Sequence, residues 1–352
     1  FFSNMKRSYV FPSVYEETSV DFTKVAGNFI EGMKINNFNQ RNYLIGNLAL
    51  IEGNSPHKFL NSSAQDLDYQ LMALAALIIS SQGTEDKMVI TTGFPFITHK
   101  IYKKGAKDFY FGNHQFSFDT RTFGGAGDET INVNVSAVDV MTEIDGCIKA
   151  IRYGKMAETQ NFFIGNLGFG TFELALSTPS GIVHRTADSV KGISYAVNIL
   201  ENEIEKQYIL DMLTGQQIER AFQRGFFLIN RQRVDVLDMR KRALISYYNE
   251  VISPAMRKKF SDEDFSRTNK IYLVGGGAMY SELDALFKEE FQDILEVIVY
   301  PEPYLCASEG YCLNSASLAP ATNSMEIREN ITYVGIDLGN SNTVVTIYND
   351  TE

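Results

Sequence analysis

The chain has 352 residues, 44% of them hydrophobic, and a formal net charge of −11. That length fills two domains or one large bilobal one, while the negative balance argues against a broad nucleic-acid surface, which needs Lys and Arg to displace counterions. The longest apolar run, residues 71–79, is nine residues long against the roughly 20 that cross a bilayer, and no basic, apolar, small-residue leader opens the sequence, so a cytoplasmic protein without membrane contact is expected.

Strands are predicted at residues 8–11, 43–46 and 88–92. Before the third, the apolar spacing of Leu67, Leu71, Leu74, Leu77 and Ile78 predicts a long helix, opened by a capping box at 63–66 with Asp66 in place of Glu and stopped at Gly83. A turn at Gly93-Phe94-Pro95 ends the third strand, and a helix is expected over 99–109. Residues 110–140 read as polar loops and short strands, among them the alternating 131–135 and then 137–141, followed by a helix over 143–153.

Strands at 162–167 and 171–176 enclose a small-residue turn. The chain then reads as helical over 192–222 and 234–260, with Pro254 kinking or dividing the second stretch. Arg231, Arg233, Arg240, Lys241 and Arg242 cluster here, and so short a cluster reads as a solvated helix face rather than a DNA groove. Residues 271–274 form a strand that runs into Gly275, Gly276 and Gly277 and then a helix capped by Ser281 and Asp284. Last come two strands, 332–338 and 343–348, joined by Gly339-Asn340-Ser341-Asn342. Strands mixed with helices in this order imply an α/β architecture on mixed sheets. Cys147, Cys306 and Cys312 cannot all pair and show no metal-ligand spacing, and the four histidines are scattered, so structural zinc is not expected.

The final turn offers backbone N–H groups to an anion, and Asp337 before it can hold a metal through water; an ordinary hairpin with an exposed Asp has the same sequence. The glycine triplet admits a flat ring against the backbone, and tight strand-to-helix packing explains it equally well. Two hairpins of one kind, at 162–176 and 332–348, could clasp a polyphosphate from opposite sides.

Together, the hairpin at Asp337, the helix opening at Glu143, the hairpin at Asn166 and the run from Gly275 to Ala278 resemble the nucleotide site of the actin-like ATPases, the superfamily of actin, heat-shock chaperones and sugar kinases. The resemblance spans nearly the whole chain and is nearest to ParM-type and archaeal actin-like proteins. It implies a two-lobed actin-like (ribonuclease H-like) α/β fold with mixed five-stranded sheets: domain I at 1–148 plus 300–352 and domain II at 149–299. In that family the first phosphate hairpin comes first, whereas here it comes last. Moving 325–352 ahead of residue 1 restores the order, so the chain resembles a circular permutant, with Met325 like an original initiator, 319–324 like a linker, and Phe1 and Glu352 as new ends. Whether evolution or engineering made the permutation stays open.

By resemblance, ATP or ADP with Mg²⁺ is the cofactor. Asp337 would bind Mg²⁺ through water, Gly339, Asn340, Ser341 and Asn342 would cradle phosphates, and Glu143 would orient the attacking water; a plain helix-start carboxylate is the alternative for Glu143. Gly168, Phe169, Gly170 and Thr171 would form the second phosphate turn. Gly275, Gly276, Gly277 and Ala278, with Glu219 and Arg220, would meet the adenosine, and Gly192 would set the turn before a long helix. Asn166 stands where the family normally has Asp, and Glu173 where a second Asp is common. An amide hydrogen-bonds water but brings no charge to a metal, so slowed hydrolysis is expected. The implied function is a ParM-like ATPase that polymerises and moves plasmid DNA through a DNA-binding adaptor, touching no nucleic acid itself. A monomeric small-molecule kinase of the same fold and a non-hydrolysing nucleotide-binding scaffold are the alternatives.

Overall fold

The computed structural model describes residues 6–60, 63–81, 87–207, 214–318 and 330–349. Gly83, the expected linker at 319–324, Met325, Phe1 and Glu352 lie outside the described residues. Two compact units emerge: Phe1–Glu158 with Leu305–Glu352, and Thr159–Tyr304.

In chain order the first unit contains β1 (Lys6–Pro12), β2 (Val14–Thr18), β3 (Lys34–Phe38), β4 (Arg41–Ile45), α1 (Asn47–Glu52), β5 (His57–Lys58), α2 (Leu67–Ser81), β6 (Lys87–Phe94), α3 (His99–Tyr110), β7 (Gly112–Asp119), β8 (Asp128–Thr142) and α4 (Glu143–Tyr153). The second contains β9 (Phe162–Leu167), β10 (Thr171–Thr178), β11 (Gly181–Ile182), β12 (Asp188–Lys191), α5 (Ser194–Gln207), α6 (Gly215–Arg224), β13 (Phe226–Ile229), β14 (Gln232–Asp235), α7 (Leu237–Tyr247), α8 (Ser253–Lys259), α9 (Asp262–Ser266), β15 (Lys270–Val274), α10 (Ser281–Phe291) and β16 (Glu296–Val299). The chain returns to the first unit with α11 (Cys306–Leu318), β17 (Ile331–Leu338) and β18 (Asn342–Asn349). An expected boundary at 148/149 would cut α4, which lies whole in the first unit.

One pattern organises both units. In the first, the neighbours run β1-β18-β17-β6-β8; the first two pairings are antiparallel and the last two parallel. In the second, β12-β10-β9-β15-β16 repeats that order and those directions. The expected five-stranded sheets are thus present as cores of larger ones. The first sheet grows to ten strands by adding β7-β3-β4-β2-β5 beyond β8, and the second to six with β11. Chain order differs between the two cores. The strands equivalent to β9 and β10, which open the second core, are β17 and β18, which close the first.

Residues 110–142 hold more regular structure than their composition suggested. β7 pairs along the amino-terminal half of β8, and β8 is one 15-residue strand rather than two short ones. Ser136 breaks the alternation: Met88 pairs with Val135 and Val89 with Ala137, so Ser136 is a bulge, and its hydroxyl donates to the Met88 carbonyl at 3.1 Å. The helix α2 is buried from Leu71 to Ser81, which its apolar run requires. It starts at Leu67. Only half of the expected capping box forms, the Asp66 carboxylate accepting from the Ser63 N–H at 2.8 Å.

The stretch 223–236 corrects the reading of the basic cluster as one helix face. β13 and β14 form a hairpin whose turn residues, Asn230 and Arg231, both have positive φ (50° and 65°), so Arg231 and Arg233 sit on a ribbon while Arg240, Lys241 and Arg242 sit on α7. Arg240 pairs with Glu282 at 2.8 Å, and Arg242 pairs with Glu203. Pro254 divides the second helical stretch as expected, falling in the first turn of α8 after a π-turn at Tyr248–Ile252.

Candidate functional site

Each unit carries its candidate residues at the carboxyl ends of its parallel strands, where open α/β sheets place ligands. In the first unit β17 carries Asp337 next to its last residue and leads into the turn, and β8 ends in Thr142, after which Glu143 opens α4. In the second, β9 carries Asn166 near its end and β15 runs into Gly275.

The two turns are built alike. The Gly339 N–H donates to the Asn342 carbonyl at 3.1 Å, and the Gly168 N–H donates to the Thr171 carbonyl at 2.9 Å. Asp337 and Asn166 occupy the same position, two residues before each glycine, and a Cβ on either glycine would meet the accepting carbonyl at 2.8 Å. In the first turn the N–H groups of Asn340 and Ser341 make no hydrogen bond among the described residues, which leaves a pair of donors for an anion.

Neighbours hold the first turn from a distance in sequence. The Ser13 N–H donates to the Ser341 carbonyl at 3.0 Å, its hydroxyl lies 2.9 Å from that of Thr343, and the Asn340 amide donates to the Phe59 carbonyl at 3.4 Å. The sequence reading missed Ser13 as a supporting residue, and no local signal marks a partner 330 residues away.

Close backbone approaches set α4 and β17 around α11. A Cβ on Gly310 would fall 1.7 Å from the Gly146 carbonyl, one on Gly335 would fall 2.1 Å from that of Ser308, and the Tyr311 ring covers Gly93 and Gly146. Glu143 is the first residue of α4, but the cap is Thr142, whose hydroxyl accepts from the Asp145 N–H at 3.1 Å. Asp337 and Glu143 are both near enough to the buried Cys147 thiol for their charges to act on it; that thiol is raised well above its usual range by its contact with Cys306, then by burial, then by these charges. Loss of hydration pushes the Asp337 carboxyl up to about 7. A cation beside it would offset that cost, so a desolvated carboxylate and a donor-bearing glycine turn fit a metal-bound phosphate.

In the second unit three glycines close onto one turn. The N–H groups of Gly192, Ile193 and Ser194 donate to the carbonyls of Gly170, Gly168 and Phe169 at 3.0, 3.0 and 2.9 Å. A Cβ on Gly192 would meet the Gly168 carbonyl at 2.5 Å, so Gly192 binds the turn directly as well as preceding α5. Gly275 has φ of 80° and lies against Asn166 and Leu167, while Gly277 lies against Leu167 and Ile193. Gly276 differs: it is exposed, and a Cβ there meets nothing within 4 Å. Two glycines of the triplet therefore serve packing, and the middle one opens to a surface. Ala278 is buried behind them.

α6 reaches the same neighbourhood through Tyr280, whose ring packs edge-on to Phe222 at 5.3 Å and whose hydroxyl feels the charge of Glu219. Arg220 makes no ion pair or hydrogen bond among the described residues. Glu173 lies fully buried in β10, paired across the ladder with Asn166.

Residues 2–143 match the family described as actin-like proteins, N-terminal domain. None of the curated proteins matches by sequence. Among solved structures, the chain is similar to Ta0583, an archaeal actin homologue, with 16% identity and a TM-score of 0.69 over 88% of this chain and 92% of that one; Ta0583 has also been solved in complex with ADP. A 15-stranded ParM filament from Clostridium botulinum matches with 15% identity and a TM-score of 0.69 over 88% and 93% of the two chains. The actin-like protein Alp7A matches with 15% identity and a TM-score of 0.63 over 87% and 89%.

Proposed function

We propose, from the actin-like fold of the ParM type that these likenesses establish, that this chain is a filament-forming actin homologue whose assembly is driven by ATP with Mg²⁺. The observation that carries the reading is the pair of matching glycine turns, each at the same place in the same five-strand order, with Asp337 before one and Asn166 before the other. The reading assigns Mg²⁺ to Asp337 through water, phosphate to the turns at 339–342 and 168–171, and the purine and ribose to the open face at Gly276 with Glu219 and Arg220 beside it. When bound, Mg²⁺ neutralises phosphate charge. The reading gives Glu143 the role of orienting the attacking water, and Asn166, an amide, brings no charge to a metal. Hydrolysis slower than assembly is the consequence, which favours persistent polymer. Plasmid DNA segregation through a DNA-binding adaptor, in the cytoplasm, is the cellular role that fits.

The chain order of the first unit supports a circular permutation within this reading, since two strands that open the second core close the first. A chain with Glu352 joined to Phe1 and opened within 319–329 should fold and bind nucleotide like the parent; an insoluble product would count against the permutation.

Light scattering and pelleting with Mg-ATP, Mg-ADP or no nucleotide test the function, with Asn166→Asp alongside. Polymer is expected with Mg-ATP, persisting in the parent and decaying in the Asp variant. ATP turnover stimulated by a sugar or an organic acid, with no polymer at any concentration, would identify a monomeric kinase instead.

A further inference from the structure

Two surfaces of this chain carry opposite charge around exposed apolar side chains, and each is electrostatically unfavourable in isolation. The first is the outer face of α3. Its inner face is committed to the core: Tyr102 packs on Phe94 at 5.5 Å, Phe109 on Tyr69 at 6.0 Å, and Ala106 and Tyr110 are buried. Outward it shows Lys100, Lys103, Lys104 and Lys107, all exposed and without an ion-pair partner among the described residues. Like charges three and four apart on a helix repel, by a few tenths of a kcal/mol per pair. Ile101 on the helix and Ile97 and Phe111 flanking it are 71%, 58% and 59% exposed, and Asp108 is the acidic residue on that side.

The second surface is the end of α10 and the chain leading into β16. Ile294 is 53% exposed there, among the exposed carboxylates of Glu289, Asp293 and Glu296, which have no partner among the described residues. Nearby Lys288 is paired with Asp284 at 2.7 Å. Acidic groups at a helix carboxyl end oppose the helix dipole, so this placement also carries a local cost. β16 is the terminal strand of its sheet.

We infer that these two surfaces dock onto each other between copies of this chain, the lysine face of α3 on one copy meeting the acidic end of α10 on the next. An apolar centre with a charged rim is the anatomy of a protein interface, and opposite rims fix its orientation. Because the two patches are different surfaces, the contact joins unlike faces of successive copies, the heterologous kind that builds an open polymer when its rotation closes no ring. The inference rests on the filament reading and names the surfaces that would form its repeating contact.

Charge reversal tests it. Lys100→Glu with Lys104→Glu, and separately Glu289→Lys with Asp293→Lys, should each raise the critical concentration for assembly at least about tenfold, and the four changes combined should restore most of the loss. Thermal unfolding and ATP binding of the unassembled variants should match wild type. Wild-type assembly with unchanged critical concentrations in the variants, or no rescue by the combined variant, would overturn the contact and leave the filament reading standing. A wild-type chain that binds ATP and never assembles would overturn both. Lysine-dependent sedimentation with anionic phospholipid vesicles, with assembly unaffected, would assign α3 to a membrane surface and also overturn the contact.

Discussion

Replacing Gly192 by Ala isolates one role of glycine at the second turn. Gly192 is not among the residues with positive φ, so its backbone suits any amino acid. On that count alone the change should stabilise the protein by about 0.4–1 kcal/mol, through loss of freedom in the unfolded chain. Sterics oppose it: the new methyl would meet the Gly168 carbonyl at 2.5 Å, the Phe169 carbonyl at 2.6 Å and the Thr171 nitrogen at 2.6 Å, all backbone atoms of the turn. Relief requires drawing the start of α5 away, which weakens the three hydrogen bonds from Gly192, Ile193 and Ser194. At a net of about 0.5–1.5 kcal/mol each, the loss outweighs the gain, and a destabilisation of about 1–3 kcal/mol remains. Gly276→Ala is the counterpart, also without positive φ but with open space at Cβ, so it should be neutral or slightly stabilising. Urea unfolding and the dissociation constant of a fluorescent ATP analogue measure both. Gly192→Ala should lose stability and affinity together, and Gly276→Ala should lose affinity alone. A Gly192→Ala protein that unfolds at or above the wild-type urea midpoint would refute the steric reasoning.

Gly310→Ala should destabilise the first unit by at least about 1–3 kcal/mol, because its methyl would sit 1.7 Å from the Gly146 carbonyl with no flexible side chain to yield; a denaturation midpoint equal to wild type would contradict this. Ser13→Ala should cost about 1–2 kcal/mol by leaving the buried Thr343 hydroxyl without its neighbour, and Ser13→Thr should recover part of it. Asp337 gives a pH signature. Burial raises its folded pKa to about 7, above the ordinary carboxylate range, so the stability its protonated form supports is present below about pH 4 and is lost as pH rises through 7. Between pH 5 and 8 the nucleotide-free wild type should therefore lose thermal stability relative to Asp337→Asn, and added Mg-ATP should reverse the order; parallel melting curves across that range would remove the desolvation argument. Asp264, held at about 2 first by its bonds to Arg185, works in the opposite sense: its contribution is complete above about pH 4 and disappears as pH falls through 2. Acid unfolding of Asp264→Asn should accordingly be shallower than that of wild type.

Much of the fold was legible because its signals are local. Periodicity located α2, helical segments were read where α3 and α4 form, small polar turns located both hairpins, and the resemblance of the motifs pointed to the actin-like architecture. The misreadings also have local causes. A bulge at Ser136 hid one long strand as two, and a two-residue turn requiring positive φ at Asn230 and Arg231 lacked the glycine that usually announces it. The sheets were underestimated because β2, β3, β4 and β5 are short, with five residues or fewer each, and acquire their identity only by pairing. Among the site residues, Asp337, Asn166 and the glycines were visible as types in a pattern.

What each does was a matter of tertiary contact. Sequence alone determined that turns of small polar residues would expose backbone donors, and that a carboxylate would precede one and an amide the other. The tertiary structure decided that Gly275 and Gly277 pack while Gly276 stays open, that Thr142 rather than Glu143 caps α4, and that Ser13 supports a turn 330 residues away. Residue type and spacing fix local backbone preference, but steric exclusion and loss of hydration depend on which distant atoms arrive beside a group, and chain folding alone sets that.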